Sequence, residues 1–149
     1  MRRSEPPIQT FLLDSNVFIA AIKDPKRQTE TLRLILKIIQ DDSIRLIADS
    51  LLAEELLRYA ELLRSATATT IIAGLLGKTK ITNVSNNYRK ICKAYIKTPD
   101  KADILHAAAC LQTDSVLVTN DRHFDNISNQ GIIKVWSITE AIRMLLKAP

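Results

Sequence analysis

The chain of 149 residues has 46% hydrophobic and 25% charged residues, the composition of a globular domain, and its length favours a single domain over residues 1–149. With only three Gly and five Pro, collagen-like and low-complexity chains are excluded. The net charge of +5 raises the odds of a polyanionic partner only modestly, since mild basicity is common among small proteins.

Short apolar runs alternate with amphipathic segments along the chain, after an irregular lead-in predicted over residues 1–10. The predicted strands lie at 11–13, 44–48, 80–84, 116–119 and 133–136, and the one at 80–84 is the weakest. The predicted helices between them lie at 17–22, 31–40, 49–63, 66–76, 88–96 and 100–111, and the first is broken at Asp24-Pro25. A capping box at 137–140 begins the last helix, which extends to residue 147. Hairpin signals are missing. This pattern predicts a three-layer α/β/α domain with a central, mostly parallel sheet of about five strands.

Two acidic residues follow predicted strands. Asp14 comes directly after the strand at 11–13, and Asp121 comes after the strand at 116–119. Ligands of open α/β sheets bind in the crevice outside the carboxyl ends of the strands, so these two carboxylates are candidates for one site. Considered by itself, Asp14 is explained about equally well as the cap of the following helix. For Asp121 the structural alternative is a polar turn.

Two adjacent glutamates lie in the middle predicted helix. A helix points Glu54 and Glu55 about 100° apart, and Glu55 lies close to the apolar stripe that contains Leu52 and Tyr59. A carboxylate on such a face is costly unless it is paired or bound to a metal, which favours Glu55 as a ligand. Glu54 has the spacing of a surface ion pair with Arg58 and is the fallback.

Asp100 and Asp103 lie at the start of a later helix. Acids in a first turn satisfy free N–H groups and interact favourably with the helix dipole, so a structural role would explain both. Asp100 fits the N-cap position. Asp103 lies one turn before His106, at the head of a small-residue surface that can pack against a sheet, and is the favoured ligand of the two.

Together, four acids predict a cation site: Asp14, Glu55, Asp103 and Asp121. Carboxylates that are brought close together repel one another, so an acidic pocket is most easily explained if a cation fills it. Hard oxygen ligands with open water positions suit Mg²⁺ or Mn²⁺, as one or two ions.

The remaining polar residues carry weaker signals. His106 and His123 lack a zinc-type spacing; His106 is expected to be half-buried, and His123 to be solvated or to contact phosphate. The chain lacks the GxGxxG, P-loop and GxSxG motifs, which argues against dinucleotide, P-loop and α/β-hydrolase sites. One helix has a basic face that fits a phosphate backbone, although a solvated face explains it slightly better: Arg89, Lys90, Lys93 and Lys97.

The location of the protein is predicted from its cysteines and its hydropathy. Cys92 and Cys110 lie far apart in helical apolar patterns, which is typical of reduced, buried thiols. No apolar run approaches the roughly 20 residues of a membrane span. We therefore expect a cytoplasmic protein without a membrane partner.

The chain resembles the PIN domain family, a fold of metal-dependent nucleases that is common in VapC-type toxins and related RNA-processing proteins. The resemblance extends from Phe11 to about Trp136, and the order and spacing of four segments make it specific. These segments are Leu12-Leu13-Asp14-Ser15-Asn16-Val17, Ala53-Glu54-Glu55-Leu56-Leu57, Asp100-Lys101-Ala102-Asp103-Ile104-Leu105-His106-Ala107-Ala108 and Leu117-Val118-Thr119-Asn120-Asp121-Arg122.

The resemblance implies a Mg²⁺- or Mn²⁺-dependent nuclease that hydrolyses phosphodiester bonds, with single-stranded RNA as the expected substrate. Its acidic quartet would be Asp14, Glu55, Asp103 and Asp121. Asn16 and Thr119 would support these carboxylates, and Arg122 is the nearest basic residue in sequence for gripping RNA. A toxin, which would have an antitoxin protein as its partner, and a housekeeping nuclease are both compatible with these residues.

Two other functions stay open. One is a PIN-like RNA-binding or scaffold module without turnover. The other is a phosphatase of the haloacid-dehalogenase type, a family that also has an Asp after its first strand. The pattern of that family is Asp-x-Asp, and this chain has Asn16 at the position of the second Asp.

Residues 56–76 contain more apolar helix surface than one small sheet needs, and we predict that part of this region lies in a homodimer interface. A large monomer core and a surface for an antitoxin peptide are the alternatives. The residues concerned are Leu62, Leu63, Ile71, Ile72, Leu75 and Leu76.

Overall fold

A parallel sheet lies at the centre of the computed structural model, which describes residues 8–22, 29–97 and 100–147. Its five strands are hydrogen-bonded in the order β3-β2-β1-β4-β5, and every neighbouring pair is parallel. The strands are β1 (Gln9–Leu13), β2 (Ile44–Ala48), β3 (Thr79–Ile81), β4 (Val116–Val118) and β5 (Val135–Trp136). The predicted fold class is therefore confirmed.

Helices connect the strands. They are α1 (Ser15–Ile22), α2 (Glu30–Gln40), α3 (Ser50–Leu63), α4 (Ala66–Lys78), α5 (Asn86–Lys93), α6 (Lys101–Thr113), a 3₁₀ helix (Arg122–Phe124), α7 (Asp125–Asn129) and α8 (Ile138–Leu145). Side-chain oxygens accept hydrogen bonds from first-turn N–H groups at the starts of six of these helices, which fixes where each begins: Thr29, Asp49, Ser65, Asp100, Asp121 and Ser137. None of the helices in the described part of the chain has the length and hydrophobicity that a membrane crossing requires.

Several predicted boundaries were wrong. Gln9 and Thr10, which were predicted to belong to the irregular lead-in, pair with Ile44 and Arg45 of β2, because backbone pairing does not require apolar side chains. The helical residues 122–129 were not predicted, since segments this short show no helical periodicity. Residues 1–7 and the helix break at Asp24-Pro25 lie outside the described residues.

The central strands and α6 form the core that positions the site. Phe11 and Leu12 of β1 are fully buried, as expected for a strand with neighbours on both edges and helices on both faces. Three consecutive alanines of α6, residues 107–109, are also fully buried, and their small side chains let the helix approach the sheet closely. This close packing places the first turns of α6 near the carboxyl ends of β1 and β4.

Candidate metal centre

The sheet changes its winding direction between β1 and β4, because β2 and β3 lie on one side of β1 while β4 and β5 lie on the other. Ligands bind at such a point in open α/β sheets. Asp14, the residue after β1, lies at this point and is only 8% exposed. Its N–H donates to the Val118 carbonyl of β4 at 3.0 Å, so both strands hold the residue in place.

Thr119 connects two of the predicted acids. Its hydroxyl donates to Asp14 Oδ2 at 2.8 Å and accepts from the Asp121 N–H at 3.0 Å. Asn16 Nδ2 lies 3.1 Å from Thr119 Oγ1 and 3.4 Å from Asp14 Oδ2. Asn16 and Thr119, which were predicted to support the carboxylates, therefore both contact Asp14.

Glu55, rather than Glu54, lies at the site. Ser15 Oγ donates to Glu55 Oε1 at 3.0 Å and also lies 3.5 Å from Asp14 Oδ1, so it links α3 to the end of β1. Glu54 is exposed and has no ion pair among the described residues. Ser15 was not among the predicted site residues, although its position directly after Asp14 was the available signal.

Asp103 and Asp121 meet through His123. The imidazole Nδ1 of His123 lies 2.9 Å from Asp103 Oδ2 and 3.3 Å from Asp121 Oδ1. One ligand atom from each of these three residues lies within 4.8 Å of the others, whereas Asp14 and Glu55 do not belong to this group. Burial raises the pKa of the Asp103 carboxyl, and the hydrogen bond from His123 only partly opposes this effect.

His123 was expected to be solvated or to contact phosphate, and the structure places it against carboxylates instead. Its side chain is 56% exposed, so the ring contacts the acids with one edge and faces solvent with the rest. The hydrogen bond with Asp103 raises the pKa of His123, and the charge of Asp121 acts in the same direction. An imidazolium in this position balances part of the negative charge, as a bound cation would.

A buried pair, Asp49 and His106, lies behind the carboxylates. The prediction that His106 is half-buried was wrong, because it is 2% exposed. Asp49 Oδ1 accepts from the Leu52 N–H at 2.9 Å and Asp49 Oδ2 is hydrogen-bonded to His106 Nδ1, so the pair ties α3 to α6. Burial lowers the pKa of His106, but the hydrogen bond with Asp49 and the charges of Asp49, Asp14 and Asp103 outweigh it, and the net direction is upward.

The predicted basic residues form no ion pair with the acidic quartet in the described part of the chain. Arg122 is exposed next to Asp121, at the start of the 3₁₀ helix. The other four belong to α5 and the segment after it, and all are exposed: Arg89, Lys90, Lys93 and Lys97.

The chemistry of the site fits a hard divalent cation. The side chains offer carboxylate oxygens, the ligand type that suits Mg²⁺ and Mn²⁺, and two of them, Asp14 and Asp103, are buried. The buried amide oxygen of Asn16 has no hydrogen-bond partner among the described residues. This oxygen and the nearby carboxylates are all hydrogen-bond acceptors, so a cation would be favoured beside them.

The fold and these side chains define a class of protein, an α/β domain with an acidic cluster at the switch point of a parallel sheet. The PIN domain family model matches residues 11–130. The chain therefore belongs to the PIN domain family. PIN domains are in general metal-dependent nucleases, which agrees with the acidic cluster and argues against the haloacid-dehalogenase-type phosphatase.

Solved structures share this fold. VapBC2 from Rickettsia felis, bound to a DNA fragment from its promoter, matches with a TM-score of 0.59 and 16% identity over 87% of this chain and 98% of that chain. VapBC-1 from nontypeable Haemophilus influenzae matches with a TM-score of 0.60 and 18% identity over 88% of this chain and 99% of that chain. PAE2754 from Pyrobaculum aerophilum matches with a TM-score of 0.57 and 17% identity over 94% and 98%. A search among curated proteins finds no match.

Proposed function

We propose that the protein is a metal-dependent endoribonuclease that hydrolyses phosphodiester bonds in single-stranded RNA. One observation carries the proposal: four acids that are far apart in sequence belong to two hydrogen-bonded groups that Thr119 joins. Asp14 and Glu55 share Ser15, while Asp103 and Asp121 share His123. The membership in a family of metal-dependent nucleases supports the same conclusion.

Each acid has a role in this proposal. Asp14, Asp103 and Asp121 hold Mg²⁺ or Mn²⁺, as one or two ions, and Glu55 completes the ligand set or orients the attacking water. Asn16 and Thr119 keep the Asp14 carboxylate in place through the hydrogen bonds described above. A bound divalent cation supplies Lewis acidity, which lowers the pKa of water and offsets negative charge on the phosphate.

Incubation with a pooled RNA library tests the reaction. We expect cleavage in Mg²⁺ or Mn²⁺ and none in EDTA, because the proposed mechanism needs the cation to lower the pKa of the attacking water. Addition of excess Mn²⁺ after EDTA should restore the cleavage, which controls for denaturation. Cleavage that persists in EDTA would contradict the mechanism, whereas RNA binding without cleavage in any metal would favour the non-catalytic RNA-binding or scaffold module.

An antitoxin protein is part of the proposal. The similar solved structures from Rickettsia felis and Haemophilus influenzae are VapBC assemblies, and the chain covers nearly all of the matched chain in each. We propose, with this similarity as support, that the protein is the toxin of a toxin–antitoxin pair. A cytoplasmic location also belongs to the proposal, and the buried, free Cys92 and Cys110 fit a reducing compartment.

A homodimer is proposed through the outer face of α3. Leu57, Leu62 and Leu63 are 54%, 68% and 46% exposed, while Ile71 and Ile72 of the predicted region are buried and belong to the core of one chain. Light scattering should give the mass of a dimer at tens of micromolar, and Leu62→Glu should lower it to that of a monomer, because a charge in an apolar interface is costly. Leu36→Glu, at an exposed leucine on α2, is the matched control and should leave the mass unchanged. A monomeric wild type would contradict the proposal.

A further inference from the structure

A basic groove of about 650 Å³ lies between the start of α3, α5 and α6. Four cations line it, three from α5 and one from α6: Arg89, Lys90, Lys93 and Lys101. Among the described residues, no acidic side chain lines the groove. The solvated helix face considered above explains the three residues of α5. It does not explain why a different helix adds a fourth cation to the same concave surface.

The groove adjoins the candidate metal centre. On α6, the groove residues Lys101 and Ile104 lie on either side of Asp103 in sequence. On α3, Leu51 lines the groove and Glu55 follows one helical turn later. Two of the helices that form the groove therefore also carry acids of the site.

The cations of the groove form no ion pairs in the described part of the chain. Arg89 and Lys93 are spaced i,i+4 on one helix, an arrangement of like charges that destabilises a helix unless an anion lies between them. A chain of phosphates relieves this repulsion.

We propose that this groove binds the phosphate backbone of single-stranded RNA and leads the strand into the candidate metal centre, an inference that rests on the proposed function. The guanidinium of Arg89 suits bidentate contact with a phosphate, and the lysines act as point charges. Leu51, which is 40% exposed, and Ile104 add apolar surface for the bases. An acidic protein segment would meet the same cations, but it does not explain why the groove adjoins a site for phosphodiester chemistry.

The test measures binding rather than cleavage. In an Asp14→Asn background, which prevents cleavage, fluorescence anisotropy follows a labelled oligouridine across a series of salt concentrations. The double substitution Arg89→Gln/Lys93→Gln should weaken binding on the order of tenfold at low salt, and should reduce the slope of log K against log salt by roughly 1.4, which is about 0.7 for each lost phosphate contact.

Lys134→Gln/Arg143→Gln is the matched control, because it removes two exposed cations outside the groove and changes the net charge equally. It should leave the slope unchanged. Thermal unfolding should be the same in all variants, since the substituted side chains are exposed. Equal losses in the groove and control variants would overturn the proposal, as would a poly-glutamate competitor that binds the groove while oligouridine does not.

The outcomes separate the groove from the nuclease. Groove-dependent RNA binding without cleavage by the wild type would uphold the groove and overturn the proposed catalysis. Metal-dependent cleavage by the wild type that is unchanged in Arg89→Gln/Lys93→Gln, with unchanged binding, would overturn the groove and leave the nuclease intact.

Discussion

RNA cleavage is expected to fall on the order of 10²-fold or more in Asp14→Asn, and Mn²⁺ affinity on the order of tenfold or more. Asn has nearly the size of Asp, so the strand end and the hydrogen bond from Thr119 can persist while the negative charge is lost. Because Asp14 is buried at the junction of β1 and β4, water cannot easily take the place of its carboxylate as a ligand. Calorimetric titration with Mn²⁺ and a gel-based cleavage assay measure the two effects. Asp121→Asn should weaken Mn²⁺ binding in the same direction.

Two adjacent glutamates provide the matched control for this prediction. Glu55→Gln and Glu54→Gln are the same substitution one residue apart on α3, but only Glu55 reaches Ser15 at the end of β1. We expect weaker Mn²⁺ binding and slower cleavage in Glu55→Gln and wild-type behaviour in Glu54→Gln. Wild-type Mn²⁺ binding by Asp14→Asn, or a larger effect from Glu54→Gln than from Glu55→Gln, would show that the acids do not form the proposed ligand set.

The second large effect is on stability. Asp49→Ala should lower the free energy of unfolding by roughly 3–5 kcal/mol, because it leaves a buried histidine whose charge is no longer balanced. The substitution also removes the cap of α3. Urea unfolding followed by circular dichroism measures the change. Ser65→Ala, which removes only a cap from α4, is the control and should cost about 1 kcal/mol. Equal losses in the two variants would mean that the bond between Asp49 and His106 adds nothing to stability.

The same pair should make stability depend on pH. Since the pKa of His106 is raised in the folded state, its contribution to stability is fully present below the unfolded value of 6.5 and is lost as the pH rises through the folded value. The free energy of unfolding should therefore decrease above pH 6.5. His106→Gln should reduce this pH dependence. His123 also has a raised pKa, so the comparison is repeated in a His123→Gln background, where the effect of His106 should remain. An unchanged pH profile in His106→Gln would contradict this account.

The sequence by itself determined the architecture and the positions of most of the acids. Short apolar runs that alternate with amphipathic segments can bury their surface only in a sheet covered by helices. The strands at 44–48 and 116–118 lie where this pattern predicts them, and the first strand begins two residues before its predicted start at Phe11. The helical period of about 100° per residue was the reason to favour Glu55, with Glu54 as the fallback, because Glu55 lies closer to the apolar stripe of its helix. Asp14 and Asp121 follow strands, so a parallel sheet places both at its carboxyl edge.

Only the tertiary structure decided which polar residues meet. Asp49 and His106 are separated by 57 positions, and His123 reaches Asp103 across 20, so no local pattern relates the members of either pair. As a helix cap, Asp49 gave no reason to expect a distant partner. As a loop residue, His123 gave none either. Lys101 joins the basic face of α5 only because α5 and α6 pack side by side. Periodicity reports which face of an element is buried, but the partner across that face depends on how the elements pack.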